Sequence, residues 1–242
     1  MEEVLNFLDL SSHSWVFLWD QQQEKVVSTG QEALESWSWS HKQGQLAKNW
    51  RLMKPFRAGI LQSAWALDQS LAHYFSQEGL KNKTALQLLS VLLASANTEA
   101  ERTKVKQLVG QHSLRRVKIE ARVDVFADYL SREKDFSELK LIIDCHSDFI
   151  ELAIFLGQEC LKSKHFLLPE KLDPSILTEN LVLALDVFLL NLPRQLFAKR
   201  WQYFYLFLDS NLKTKPHFDQ LNRHLSMEAI VFQEQLNYFF KK

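Results

Sequence analysis

Four carboxylates, Asp144, Asp148, Glu151 and Glu159, recur at spacings of four, three and eight residues. On a helix they would fall within about 80° of arc, one acidic face that could hold a cation. His146 sits among them in sequence, but on such a helix it falls on the opposite, apolar side with Ile142, Ile143, Phe149 and Ile150. A di-iron carboxylate bundle would use Glu-x-x-His motifs on two helices, and the chain contains none. His146 is therefore expected to be a core histidine with one buried hydrogen-bond partner. The acidic stripe is expected to meet a counter-charge elsewhere, or water. Glu120, Asp124 and Asp128 form a second acidic row, expected to be spent in ordinary i,i+4 ion pairs (Arg116–Glu120 and Asp128–Arg132). Asp186 lies among Val182, Leu183 and Leu190. A buried carboxylate must be paired or protonated, which makes it a structural partner for Arg194 or Arg200 before it is a catalytic acid.

The other chemistry the sequence offers is recognition. Arg102–Lys118 carries six bases, Arg102, Lys104, Lys106, Arg115, Arg116 and Lys118, and no acid. Clustered Lys and Arg suit phosphate contacts, so nucleic acid is one candidate partner. The segment lacks interleaved aromatics, so single-strand stacking has no support. Trp and Tyr dominate interface energetics. Trp15, Trp19, Trp37 and Trp39 near the N-terminus, and Tyr238, Phe239 and Phe240 near the C-terminus, are the expected protein-binding residues.

Nucleophile and cofactor signatures are missing. There is no G-x-S-x-G, no H-E-x-x-H, no paired C-x-x-C and no Walker loop, and no residues are assigned to catalysis, cofactor or metal. The chain has six Gly and five Pro among 242 residues, against an average usage of roughly 12% for the two together. No two glycines lie close enough to build a phosphate cradle. Net charge is zero, so no global field steers a polyanion. Charge is segregated all the same: residues 51–120 hold eleven bases and five acids, and residues 121–170 hold six bases and ten acids.

The elements that must position these residues read as helices, because Gly and Pro are the main breakers of regular structure. Thr98 with Glu101 makes a capping box, and Gly110 is the expected stop. Ser113, Asp135 and Ser226 read as further N-caps, and Asp173–Pro174 as an N-cap followed by Pro at N1. Ser14–Thr29 reads as a strand, a turn and a strand. The expected architecture is mainly α: an irregular bundle of eight or nine helices over residues 46–242, with a Trp-rich hairpin appendage over 1–45. Cys145 and Cys160, fifteen residues apart on one expected helix, are too distant for a disulfide, which favours a reducing compartment. No stretch reaches the roughly twenty apolar residues of a membrane span, and the N-terminus lacks the basic n-region of a signal peptide. The chain is expected to be cytoplasmic. The expected function is a non-enzymatic helical adaptor or structural subunit of a larger multiprotein assembly, with protein subunits as partners. The alternatives are a nucleic-acid-binding accessory subunit using residues 102–118, and a helical metal protein or enzyme.

Overall fold

The computed structural model describes residues 6–10, 15–42, 49–77, 88–113, 116–133, 139–169, 173–192, 203–208 and 216–233. The chain divides into two compact units: residues 1–93 with 97–119, and residues 94–96 with 120–242.

In the first unit β1 (Asn6–Asp9) pairs in parallel with β7 (Leu88–Leu93), and β8 (Arg116–Ala121) forms the far edge of that sheet. A second, antiparallel sheet has the order β3-β2-β4, from β2 (Phe17–Asp20), β3 (Lys25–Thr29) and β4 (Trp50–Met53). The ribbon β5 (Phe56–Arg57) and β6 (Ile60–Leu61) follows. Three helices complete the unit: α1 (Gly30–Lys42), α2 (Ala64–Gln77) and α3 (Glu99–His112). Leu67 and Leu71 of α2, Val105, Leu108 and Val109 of α3, and Leu8, Leu89, Val91 and Val117 of the sheet form one apolar core.

The second unit is a three-layer sandwich. Its five-stranded sheet has the order β11-β10-β9-β12-β13: β9 (Leu139–Cys145), β10 (Phe149–Leu156), β11 (Glu159–Leu167), β12 (Tyr203–Leu208) and β13 (Glu228–Gln233). β9, β10 and β11 are antiparallel, while β12 runs parallel to both β9 and β13. Successive side chains point to opposite faces. Ile142, Ala153 and Phe207 therefore meet α4 (Arg122–Glu133) through Phe126 and Leu130. Leu141, Ile143 and Leu152 meet α5 (Pro174–Leu190) and α6 (Phe218–Leu225) on the other face. Phe126 stacks flat on Phe207, centroids 3.8 Å apart.

The expected helical bundle is therefore wrong: the fold is α/β, with six helices among the described residues. Within the span read as a helical bundle, residues 88–93 form β7, buried nearly throughout. The expected helix 135–162 is instead the meander β9–β10–β11. A strand covered on both faces reads as a continuous apolar run, and such a run is compatible with either period. Two of the proposed caps are misassigned. Ser113 closes α3 rather than opening a helix. Ser226 is the left-handed C-cap of α6 (φ 51°) ahead of β13. Asp135 lies outside the described residues. Gly110 is inside α3, not at its end. Residues 17–29 do form a hairpin, built into the β3-β2-β4 sheet. Scarce glycine did not mean scarce turns, because Glu24, Ala58 and Ser226 take positive φ themselves.

Candidate functional site

The strongest concentration of buried charge lies in the second unit, at the turn end of the β9–β10 hairpin. Asp144, on β9, is fully buried. Arg122, the first residue of α4, grips it with both arms: Nε donates to Oδ2 at 2.8 Å and Nη2 to Oδ1 at 3.2 Å. His146 Nε2 lies 3.2 Å from the same Oδ2. Burial alone would raise the Asp144 carboxyl, but the Arg122 and His146 attractions outweigh it and hold the group at about 2. His146 is itself buried and stacks on Phe149 at 4.1 Å, which stacks in turn on His165 at 4.7 Å.

Glu151 stands opposite Asp144 in the β9–β10 register and is also fully buried. Its two oxygens accept the Ser95 backbone N–H at 3.1 and 3.2 Å. Burial, reinforced by the Asp144 charge, outweighs the Ser95 hydrogen bond and pushes this carboxyl up to about 7. Two carboxylates on neighbouring strands thus hold opposite protonation tendencies at neutral pH. Both are sealed from solvent, so neither can touch a substrate in this conformation.

Backbone donors in the turn beside these groups and at two helix starts are spent within the chain. The β9–β10 turn is Cys145-His146-Ser147-Asp148, without glycine, and its His146 N–H donates to Phe149 O at 2.9 Å. The first turn of α3 is closed by its capping box: Glu101 N–H donates to Thr98 Oγ1, and Thr98 N–H to Glu101 Oε2. At the start of α5, Ile176 N–H donates to Asp173 Oδ1.

The basic run is divided by the structure. Arg102 and Lys106 on α3, and Arg116 and Lys118 on β8, line one cavity of about 830 Å³ in the first unit. Lys104 is on α3 but outside that lining, and Arg115 lies outside the described residues. The aromatic candidates fare unevenly. Trp15 is buried, its indole N–H donating to Asp9 O, and Trp19 is buried beneath Trp65. Trp37 is half-buried on α1, and Trp39 is on the same helix. Tyr238, Phe239 and Phe240 lie outside the described residues. Trp65, which sequence reasoning passed over, is the exposed tryptophan of that group; together with Trp19 and Met53 it lines a smaller cavity. Its lone place on an otherwise ordinary helix gave no signal. Asp186 is not buried: it is half-exposed and meets His224 Nε2 at 2.8 Å. Asp128 pairs with Arg132 at 2.5 Å, the i,i+4 bond expected, but Arg116 and Glu120 share a strand and not a helix turn. Among the described residues no group of three His, Cys, Asp or Glu could hold a metal ion, and no helix is long and apolar enough to cross a membrane.

No protein-family model matches the chain, and no curated protein matches it in sequence. Solved structures do match its fold. It superposes on MreB 5 of Spiroplasma citri bound to AMPPNP with a TM-score of 0.71, covering 95% of this chain and 92% of that one at 13% identity. MreB5 of Spiroplasma citri bound to ADP matches at a TM-score of 0.53 and 18% identity, covering 68% of this chain and 53% of the other. The architecture is thus the actin/MreB-like α/β fold. That overturns the helical adaptor, and with it the all-α reading behind the helical metal protein. The nucleic-acid accessory subunit gains no support either, since neither of these two neighbours is such a protein, and Lys104 lies outside the cavity that Arg102, Lys106, Arg116 and Lys118 line.

Proposed function

We propose that this chain is an actin-fold protein that acts by binding other protein chains and does not turn over a nucleoside triphosphate. The observation that carries this reading is the fate of the backbone donors. A phosphate cradle presents unspent N–H groups, usually bared by glycine or at a helix N-terminus. Here the β9–β10 turn carries a Cβ at every position, and its His146 N–H is used inside the hairpin. Ser95 N–H is held by a carboxylate of the chain itself, Glu151. Asp144 is locked by Arg122 and buried. These residues do not fit a bound phosphate. The protein-binding half rests on exposed apolar surface in the second unit: Leu183 and Leu190 on α5, and Leu167 on the edge strand β11. Leu183 and Leu190 are two turns apart on α5 and share one face, and contiguous exposed apolar surface marks contact sites. Two free thiols, Cys145 and Cys160, suit a reducing, cytosolic setting.

One observation favours a second reading, in which an adenine nucleotide is bound and not hydrolysed: the match over 95% of the chain is to a protein solved with AMPPNP. A titration with a fluorescent ATP analogue and Mg²⁺, run beside a phosphate-release assay, separates the readings. Neither binding nor release supports the first, binding without release supports the second, and steady phosphate release overturns both.

A further inference from the structure

The smaller cavity of the first unit, about 520 Å³, lies between α2 and one face of the β3-β2-β4 sheet. Its volume falls within the range of ligand clefts. Residues directly opposite on paired strands share a face, and so do residues two apart on one strand. Arg51 pairs with Trp19, and Met53 with Phe17, so all four side chains stand on one side of the sheet. Ala66 of α2 packs on that side, against Phe17 and Trp19. Trp65 and Gln69, one helical turn apart, line the cavity from α2, and Gln21 and Glu24 line it from the β2–β3 turn. The Trp65 ring, 47% exposed, stands edge to face with Trp19, centroids 5.0 Å apart at 84°. The polar groups of this lining are unspent among the described residues. Arg51 makes no ion pair there, and its one hydrogen bond is a long one, Nη1 donating to Trp50 O at 3.4 Å. The side-chain amides of Gln21 and Gln69, the Glu24 carboxylate and the Trp65 indole N–H make no hydrogen bond among the described residues.

We propose that this cleft docks a proline-rich segment of a partner protein, held in the polyproline II conformation and flanked by one acidic and one basic residue. Proline has no N–H, and a polyproline II backbone makes no internal hydrogen bonds. Such a ligand presents carbonyl acceptors and apolar rings. The cleft presents the matching set: amide, guanidinium and indole donors around two tryptophans and a thioether. Aromatic-lined grooves are the usual docking sites of this conformation. An added strand would pair with main-chain groups at a sheet edge, whereas the polar groups here are side chains from β4, α2 and a turn. An amphipathic helix would need a continuous apolar groove, and four polar side chains interrupt this one. The charges complement the flanks of the ligand. Arg51 on β4 and Glu24 in the β2–β3 turn lie on opposite sides of β2, so an acid and a base find separate partners. A polyproline II chain is stiff before it binds, and so loses little freedom on docking. The inference rests on the protein-binding reading above and names one partner class for the first unit. Its failure would leave the results of the ATP-analogue titration and the phosphate-release assay unchanged.

The test uses the full chain and the fluorescein-labelled octapeptide Asp-Pro-Pro-Pro-Pro-Pro-Pro-Arg, followed by anisotropy. Saturable binding is expected, reduced about tenfold or more in Trp65→Ala and about threefold in Arg51→Glu and in Glu24→Lys. Circular dichroism checks that each variant is folded, and Gln69→Leu, expected to weaken binding, gives an independent reading from the α2 wall. The same peptide built from D-proline forms the mirror-image helix and is expected not to bind. Equal binding by the two peptides overturns polyproline II recognition. Absence of saturable binding, or binding unmoved by Trp65→Ala and Gln69→Leu, overturns the site. Affinity unchanged in both charge reversals overturns the charged flanks. Tighter binding of AMP or N-acetyltryptophanamide than of the peptide, lost in Trp65→Ala, overturns the proline-rich occupant in favour of a small planar ligand.

Discussion

Replacing Glu151 by Gln should remove a pH dependence that the native chain carries between pH 4.5 and 7. The Glu151 carboxyl is fully buried and pushed up to about 7, from an ordinary 4.5, by that burial. Between those values the folded chain keeps a proton that the unfolded chain has released. Stability therefore falls as pH rises through the window and levels off above about 7. The span is about 2.5 pH units, and at 1.36 kcal/mol each the loss is about 3 kcal/mol. Gln keeps a carbonyl oxygen to accept the Ser95 N–H, and it carries no charge at any pH. Urea unfolding of both proteins at pH 5, 6, 7 and 8 reads the effect. The two should be equally stable near pH 5, with Gln gaining steadily to about 3 kcal/mol at pH 8. A difference that stays flat from pH 5 to 8 would refute the reasoning, because it would mean that the carboxyl ionises without cost. Asp144 does not blur the result, since its own titration lies below pH 4.

Asp144 contributes with the opposite sign: its depressed carboxyl gives stability that is full above about 4 and lost toward pH 2, about 2 kcal/mol in urea titrations. Arg122→Met should cost about 3–5 kcal/mol by stranding that buried charge, and Arg122→Met/Asp144→Leu should recover most of it. Thr98→Ala should cost about 1 kcal/mol in thermal or urea unfolding, through loss of the α3 capping box. A maleimide should label Cys160 and spare buried Cys145 in the native chain. The rate should climb only at alkaline pH, because partial burial and the nearby Asp124 charge raise the Cys160 thiol.

What the sequence made legible was local. The Thr98–Glu101 box and the Asp173–Pro174 start both formed where their chemistry placed them, because capping is settled within four residues. What it hid was tertiary. Leu88–Leu93, Leu139–Cys145 and Phe149–Leu156 are apolar at nearly every position, since helices or strands cover both of their faces. Buried on two sides, they lose the alternation that would have declared them strands. The same error reached the site. Asp144 and Glu151, read as rungs of one helical stripe, face each other across two strands instead. That register, and not a 3.6-residue repeat, brings them together and drives their protonation apart. Arg122, the residue that decides the state of Asp144, lies 22 positions away. It was unremarkable in a helix reading, because its partner is chosen by the sheet. The basic run shows the converse. Its six charges were visible as a cluster, but only the tertiary fold brings four of them, from α3 and β8, to the lining of one cavity. Composition marked where charge would gather, and topology determined which of those charges share a cavity.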